Sequence, residues 1–202
     1  MAAGKQGGGK MCCRYYFDED TAKHIRAIVN AVSPAAEFRT GIIRPSDSAS
    51  LITGRGPGFC AEDMRWGFPS YVSGQLMINA RAETVLERKS FSDSALKRRC
   101  VIAAKHFYEW DRSKQKVTFT VPGRPFIYMA GIYNRFEDGD RFTVLTTAAN
   151  ETMIPVHDRM PLILAEDQIK DWIYDSCMTA ELLRQPGPKL QRYQEYEQLS
   201  LF

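Results

Sequence analysis

The sequence has no apolar run approaching the twenty or so residues that a membrane-crossing helix needs, and its opening MAAGKQGGGK lacks the apolar stretch of a secretory signal. Those absences predict a cytoplasmic protein. Cysteine is sparse and odd in number: Cys12, Cys13, Cys60, Cys100 and Cys177 include no CxxC spacing, which argues against a disulfide framework and against a structural zinc site. Reduced thiols are expected, with no metal or cofactor. Histidine is scarcer still, with 3 in 202 residues, so few side chains titrate near neutrality. Charge of one sign is also lacking, because 27 basic and 24 acidic residues leave a formal +3. That excess is too small for binding nucleic acid by bulk electrostatics and requires any such site to be a local basic groove. There is no internal repeat and no composition break marking a domain boundary. A chain of this length is large enough to bury one proper core.

What is present reads mainly as strands. Leu76–Asn79, Cys100–Ala104, Val117–Val121, Phe126–Ile132 and Phe142–Ala148 are apolar or β-branched runs, the last two joined by the turn-rich EDGD. A mainly antiparallel sheet follows. Helical spacing places Ile25, Ile28, Val29 and Val32 on one face behind the caps Asp20 and Thr21, and groups Ile169 with Trp172 and Ile173. Shorter helices are expected over Glu83–Arg88 and Ser92–Arg98. Residues Arg39 to Gly58, with their prolines and glycines, read as a long connection broken by short extended pieces. Residues 1–10 have nothing to bury and are taken as a disordered leader or tag, 11–190 as the domain, and 191–202 as a flexible tail.

Six short segments carry chemistry, the last two of them read together. In MCCR, a Cys12 made N-terminal by loss of Met11 would hold an amine and a thiol on one residue. The amine can condense with an aldehyde, and the thiolate can then close a five-membered thiazolidine. Otherwise Cys12 and Cys13 are small residues opening a first strand. INARAET puts Asn79 and Arg81 at a strand end before a helical stretch, where an anion could sit; the alternatives are an Asn79 helix cap and an Arg81 surface ion pair. HFYEW sets Glu109 among aromatics, where a carboxylate has a raised pKa suited to proton transfer, or else on a solvent-facing strand edge. PVHDRMP fixes His157, Asp158 and Arg159 between prolines, which makes His157 either a second proton-transfer group or a structural histidine. IIRPSD and MRWGF add Arg44, Pro45, Arg65, Trp66 and Phe68, the interleaved cations and rings that suit a single strand.

The ordered set MCCR, IRPSD, RWGF, INARAET, FYEW and PVHDRMP, running from Met11 to about Trp172, closely resembles the SRAP family (SOS-response-associated peptidase), the abasic-site processing proteins. The resemblance implies an α+β fold: a single compact SRAP-type domain with a bent, mainly antiparallel sheet or barrel-like core flanked by helices, carrying a basic groove. It implies that Cys12, exposed by autoproteolytic removal of what precedes it, crosslinks to abasic sites in single-stranded DNA during the DNA damage and SOS response. Asn79 would hold its amine, Glu109 would shuttle protons and take part in the self-cleavage, and His157 would assist sugar ring opening and crosslink reversal. Arg14, Arg81 and Arg159 would hold phosphates, with Trp66 and the Arg44–Pro45 segment shaping the strand and stacking against or wedging apart bases, and Arg65 also binding the DNA. The chain departs from the family pattern at Cys13, where a glycine is usual.

The last residues, QLSLF, are similar to the short peptide by which bacterial polymerases and repair factors dock on the sliding clamp, with Gln198 at a pocket edge and Leu199, Leu201 and Phe202 as apolar anchors. The alternative is a tail folded on its own core. The partners expected are therefore single-stranded DNA with abasic sites and a clamp, for a monomeric, nucleoid-associated protein. Two other functions fit the same residues. One is a thiol peptidase or N-terminal-nucleophile hydrolase using Cys12, His157, Asn79 and Glu109, and the other is a non-catalytic single-strand binding module.

Overall fold

Three of the apolar runs, Cys100–Ala104, Phe126–Ile132 and Phe142–Ala148, become strands of a closed barrel, and a smaller sheet that takes up most of Val117–Val121 packs beside it. The computed structural model describes residues 14–72 and 74–194. In chain order the elements are β1 (Arg14–Phe17), α1 (Glu19–Ile28), β2 (Ala31–Val32), β3 (Gly41–Ile43), β4 (Ser48–Arg55), β5 (Gly58–Trp66), β6 (Phe68–Pro69), β7 (Leu76–Met77), β8 (Asn79–Arg81) and α2 (Ser92–Lys97). There follow β9 (Arg99–Ala104), β10 (His106–Trp110), β11 (Lys116–Thr120), β12 (Ile127–Phe136), β13 (Gly139–Ala148), β14 (Arg159–Pro161), β15 (Ile163–Leu164), α3 (Gln168–Tyr174), α4 (Ser176–Leu182) and β16 (Gln191–Gln194). The expected α+β domain with a barrel-like core is what forms, and among the described residues no helix is long and apolar enough to cross a membrane.

The barrel runs β13-β12-β9-β4-β5 and returns to β13. Every pairing is antiparallel except the closing one, where β5 lies parallel to β13 with Arg65 opposite Arg141 and Trp66 opposite Phe142. Closure leaves no free edge. Its interior is tight around Gly131 of β12, where an added Cβ would lie 2.5 Å from Ile102 Cδ1, 3.0 Å from Cys100 Sγ and 3.2 Å from the Thr143 carbonyl oxygen. Burial pushes the Cys100 thiol far above its ordinary value, so it is a packing group and not a nucleophile.

Beyond residue 144 the β12–β13 ladder forks. The chain 159–164 fills the gap, with β14 on β13 and β15 on β12. On the opposite edge of β13, β8 takes over from β5 at Val144 to Thr146. The second sheet has the order β16-β11-β10-β1-β3, and β9 continues into β10 across a bend at Lys105, whose N–H donates to the Tyr16 carbonyl.

Four differences from the sequence reading have physical causes. Helix α1 is capped by Asp18 in place of Asp20 and Thr21, because Asp18 accepts both the Thr21 N–H at 2.8 Å and the Thr21 hydroxyl at 2.6 Å. The connection expected over Arg39–Gly58 contains β4, whose five central residues are all buried in the barrel wall. Glu83–Arg88 forms turns rather than a helix; the N–H groups of Glu87 and Arg88 both bond to the Thr84 carbonyl, and β-branched Thr84 and Val85 do not favour continuation. Residues 191–194, expected in the tail, form β16 on the edge of β11.

Gly131→Ala is expected to destabilise the protein by about 1–3 kcal/mol through overpacking of the barrel, read as a lower denaturant midpoint at unchanged slope.

Candidate active site

Trp66 is the point from which the site is built. Its indole is fully buried; it lies 5.4 Å from the Tyr15 ring on β1, stacks on Phe142 of β13 at 5.8 Å, and donates Nε1–H to the Ile78 carbonyl at 2.9 Å. Its backbone is bonded both ways to the Arg44–Asp47 turn, accepting from the Ser46 N–H and donating to the Asp47 carbonyl, each at 2.9 Å. RWGF, INARAET and IRPSD therefore meet at this one residue, beside the Tyr15 ring that follows MCCR. The expectation that Trp66 stacks on bases is corrected by this burial: no face of the ring is open to a ligand.

Asn79 follows the carbonyl that Trp66 holds. It opens β8, with Asn79, Ala80 and Arg81 opposite Val144, Leu145 and Thr146, and the Arg81 side chain is exposed. Across β13, β14 brings Arg159 opposite Ala148. The Arg159 fork closes on Glu83, with Nη1 and Nη2 donating to the two carboxylate oxygens at 2.6 and 2.7 Å, and Nη2 also donates to the Thr146 carbonyl at 2.7 Å. INARAET and PVHDRMP are thus clamped together over the end of β13. A phosphate would reach Arg159 only by displacing Glu83. His157 is half-buried beside this clamp; its Nδ1 lies 3.0 Å from the Arg159 backbone nitrogen and 2.9 Å from Asp158 Oδ1.

Glu109 sits on the second sheet. Tyr15 pairs with Phe107 and Val117 with Glu109, so the carboxylate shares the inward face of the sheet with Phe107, Val117 and Phe119, and Glu109 is only 2% exposed. That decides between a surface carboxylate and an enclosed one. On the opposite face Arg14, across from Tyr108, lies with its guanidinium 4.6 Å from the Trp110 ring centroid. Arg44 is exposed at the mouth of its turn, and Arg65 is exposed 3.5 Å from Asp138. Cys12, Cys13 and the whole QLSLF segment lie outside the described residues. Among the described residues no group of His, Cys, Asp and Glu is placed to hold a metal ion.

Compared with known families, the chain matches the one described as SOS response associated peptidase (SRAP) over residues 11–199. The chain belongs to the SRAP family. The abasic site processing protein YoaM of Bacillus subtilis is 34% identical over 155 residues, which is 69% of this chain and 68% of YoaM. The abasic site processing protein YedK of Escherichia coli is 26% identical over 140 residues, 65% of this chain and 63% of YedK. A crystal structure of a protein from Bordetella bronchiseptica superposes with a TM-score of 0.76 at 25% identity, covering 92% of this chain and 100% of that one.

In this SRAP domain one partner escaped the sequence reading, although INARAET contained it: Glu83, opposite in charge to Arg159. Its hydrogen bond from Arg159 holds the Glu83 carboxyl below the ordinary carboxylate range. A depressed carboxylate contributes stability above its ordinary value of about 4.3, and that contribution is lost as pH falls through the lower folded value. Glu83→Gln should therefore cost about 1 kcal/mol or less at pH 7, since the carboxylate is 45% exposed. Unfolding titrations at pH 7 and pH 3 check this, because the two proteins should converge at the acid end.

Proposed function

We propose that the protein processes abasic sites in single-stranded DNA by crosslinking them to Cys12. The observation that carries this reading is the enclosed Glu109 carboxylate on the strand paired with β1, in a chain of the SRAP family whose relatives include named abasic site processing proteins. Cys12 stands two residues before Arg14, the first residue of β1, whose partner strand β10 carries Glu109. A proton-transfer group therefore lies on the neighbouring strand.

The chemistry proceeds in balanced steps. Hydrolysis of the Met11–Cys12 peptide bond frees the amine, and until then no imine can form. The amine then attacks the ring-opened aldehyde of the abasic sugar, and loss of water leaves an imine. Finally the thiol adds across the C=N bond; sulfur bonds to carbon, the thiol proton passes to nitrogen, and the five-membered ring resists hydrolysis. Glu109 takes and returns the proton in the first two stages, from an enclosed place beside Phe107 and Val117. Asn79 orients the amine. His157 serves sugar opening, its ring oriented by the Arg159 backbone nitrogen and the Asp158 carboxylate at Nδ1.

Phosphates are held by Arg14, Arg44 and Arg81, while Arg159 acts first as the strut to Glu83. Trp66 fixes the frame from within. The C-terminal QLSLF would tether the enzyme to a sliding clamp and so bring it to single strands at stalled forks.

The test uses single-stranded DNA with one abasic site, incubated with protein whose Cys12 is exposed and with protein that keeps residues 1–11. A heat-stable shifted band on a denaturing gel is expected only with Cys12 exposed, absent in Cys12→Ala and formed about a hundredfold more slowly or worse in Glu109→Gln. No adduct with a verified free Cys12 would overturn the reading.

A further inference from the structure

The strands of the second sheet, RYYF, GII, HFYEW, KVTFT and QRYQ, contain one carboxylate among them, and that one is Glu109, turned inward and 2% exposed. The outward face carries cations and rings beside Ile42, Thr118 and Thr120, with Tyr108 itself only 7% exposed. Arg14 lies over Trp110 at 4.6 Å and Lys116 over Tyr108 at 5.4 Å, while Tyr16 and His106 stack at 4.9 Å. Register carries one row across the sheet from Arg14 through Tyr108 and Thr118 to Tyr193 on β16, whose ring is 52% exposed. Three strand spacings put Tyr193 about 14 Å from Arg14.

The hairpin that joins β10 to β11 adds to the same charge. Its one acid, Asp111, is spent inside the turn: Oδ1 accepts the N–H groups of Ser113 and Gln115 at 2.8 and 2.9 Å, and Oδ2 accepts from Gln194 at 3.1 Å. Arg112 and Lys114 are left exposed at the tip. Asp18, the acid nearest the other end of the face, caps α1 and lies 3.8 Å from Lys105. Among the described residues, the strands of this face interleave cations and rings with no exposed carboxylate, an arrangement that suits a single-stranded polyanion, whose phosphates meet the charges while its bases stack.

Resting on the proposed function, we infer that this outward face, extended by the β10–β11 hairpin, is a track for the DNA single strand leading away from the reactive end at Arg14. Arg112 and Lys114 take phosphates there, and Tyr193 is a stacking ring at the far edge. The track gives the protein affinity for undamaged strand flanking the lesion, independent of the covalent step.

Fluorescence anisotropy with an oligonucleotide that has no abasic site tests this over a range of salt. The double variant Arg112→Gln/Lys114→Asn, with Asn chosen because Lys114 has φ of 61°, should make the log–log salt slope shallower by about 1.4, or about 0.7 for each phosphate no longer neutralised. Tyr193→Ala should weaken binding at least about fivefold and Tyr193→Phe should retain it, with thermal unfolding confirming that each variant folds. Wild-type affinity and slope in both the double variant and Tyr193→Ala, where the wild-type protein binds, overturn the track alone. A wild-type protein that neither binds single strands nor crosslinks overturns the proposed function with it. Loss of poly-glutamate binding in the same variants, with DNA binding unchanged, would assign the face to an acidic protein and also overturn the inference.

Discussion

The arrangement of this domain depends on the closure of its barrel at one place, where Trp66 meets Phe142. Parallel pairing at that point ends β5, and the chain must leave the barrel without stripping β13 of a partner. Gly67 makes the exit possible: it adopts φ of 111° while its N–H donates to the Phe142 carbonyl at 2.7 Å. The hairpin of β6 and β7 then returns the chain to the same edge of β13, so that β8 resumes the pairing at Val144. Asn79 owes its position to that return. With the indole donating to the carbonyl just before it, the residue proposed to hold the reactive amine is set by a buried tryptophan and not by a flexible loop.

The forked end of β13 gives the opposite wall. A two-stranded ribbon that opens must have its exposed groups paired by something else, and residues 159–164 do so. The same insertion delivers His157 and Arg159 to the side of β13 facing away from β8. The Glu83–Arg159 fork then spans the strand end and joins the two motifs. A surface ion pair of this kind adds little stability. Its geometric effect is larger, since both carboxylate oxygens and both terminal guanidinium nitrogens are used, and a bidentate pair fixes orientation as well as distance.

Strands with one-sided or continuous apolar character were legible in the sequence, as Cys100–Ala104 and Phe142–Ala148 show. Less legible were the pieces whose conformation is imposed by the barrel. β4 reads as SASLITGR within a stretch of prolines and glycines, and only the barrel's need for a wall between β9 and β5 makes it a strand. Glu83–Arg88 has acceptable helical residues, yet Glu83 at its start is held by Arg159 and the segment forms turns. The site residues were legible as a set of motifs, while their roles were not legible from residue type. Trp66 has the composition of a base-stacking residue and the position of a core residue; nothing in RWGF distinguishes these, because a fully buried ring and an exposed one have the same neighbours in sequence.

The second sheet separates two kinds of charge by the simple alternation of a strand. In HFYEW, the residues at 106, 108 and 110 point outward and those at 107 and 109 inward, so a single register decides that Glu109 is enclosed while Trp110 beside it lies under Arg14. A slip of one residue would put the carboxylate among the cations and the aromatic rings inside. The register is pinned by Phe107, stacked on Phe119 at 5.2 Å and paired with Tyr15, and by the pull of Lys105 toward the Tyr16 carbonyl. The same pinning serves both faces. Alternation thus places the enclosed carboxyl and the outward cations on opposite faces with neighbouring residues.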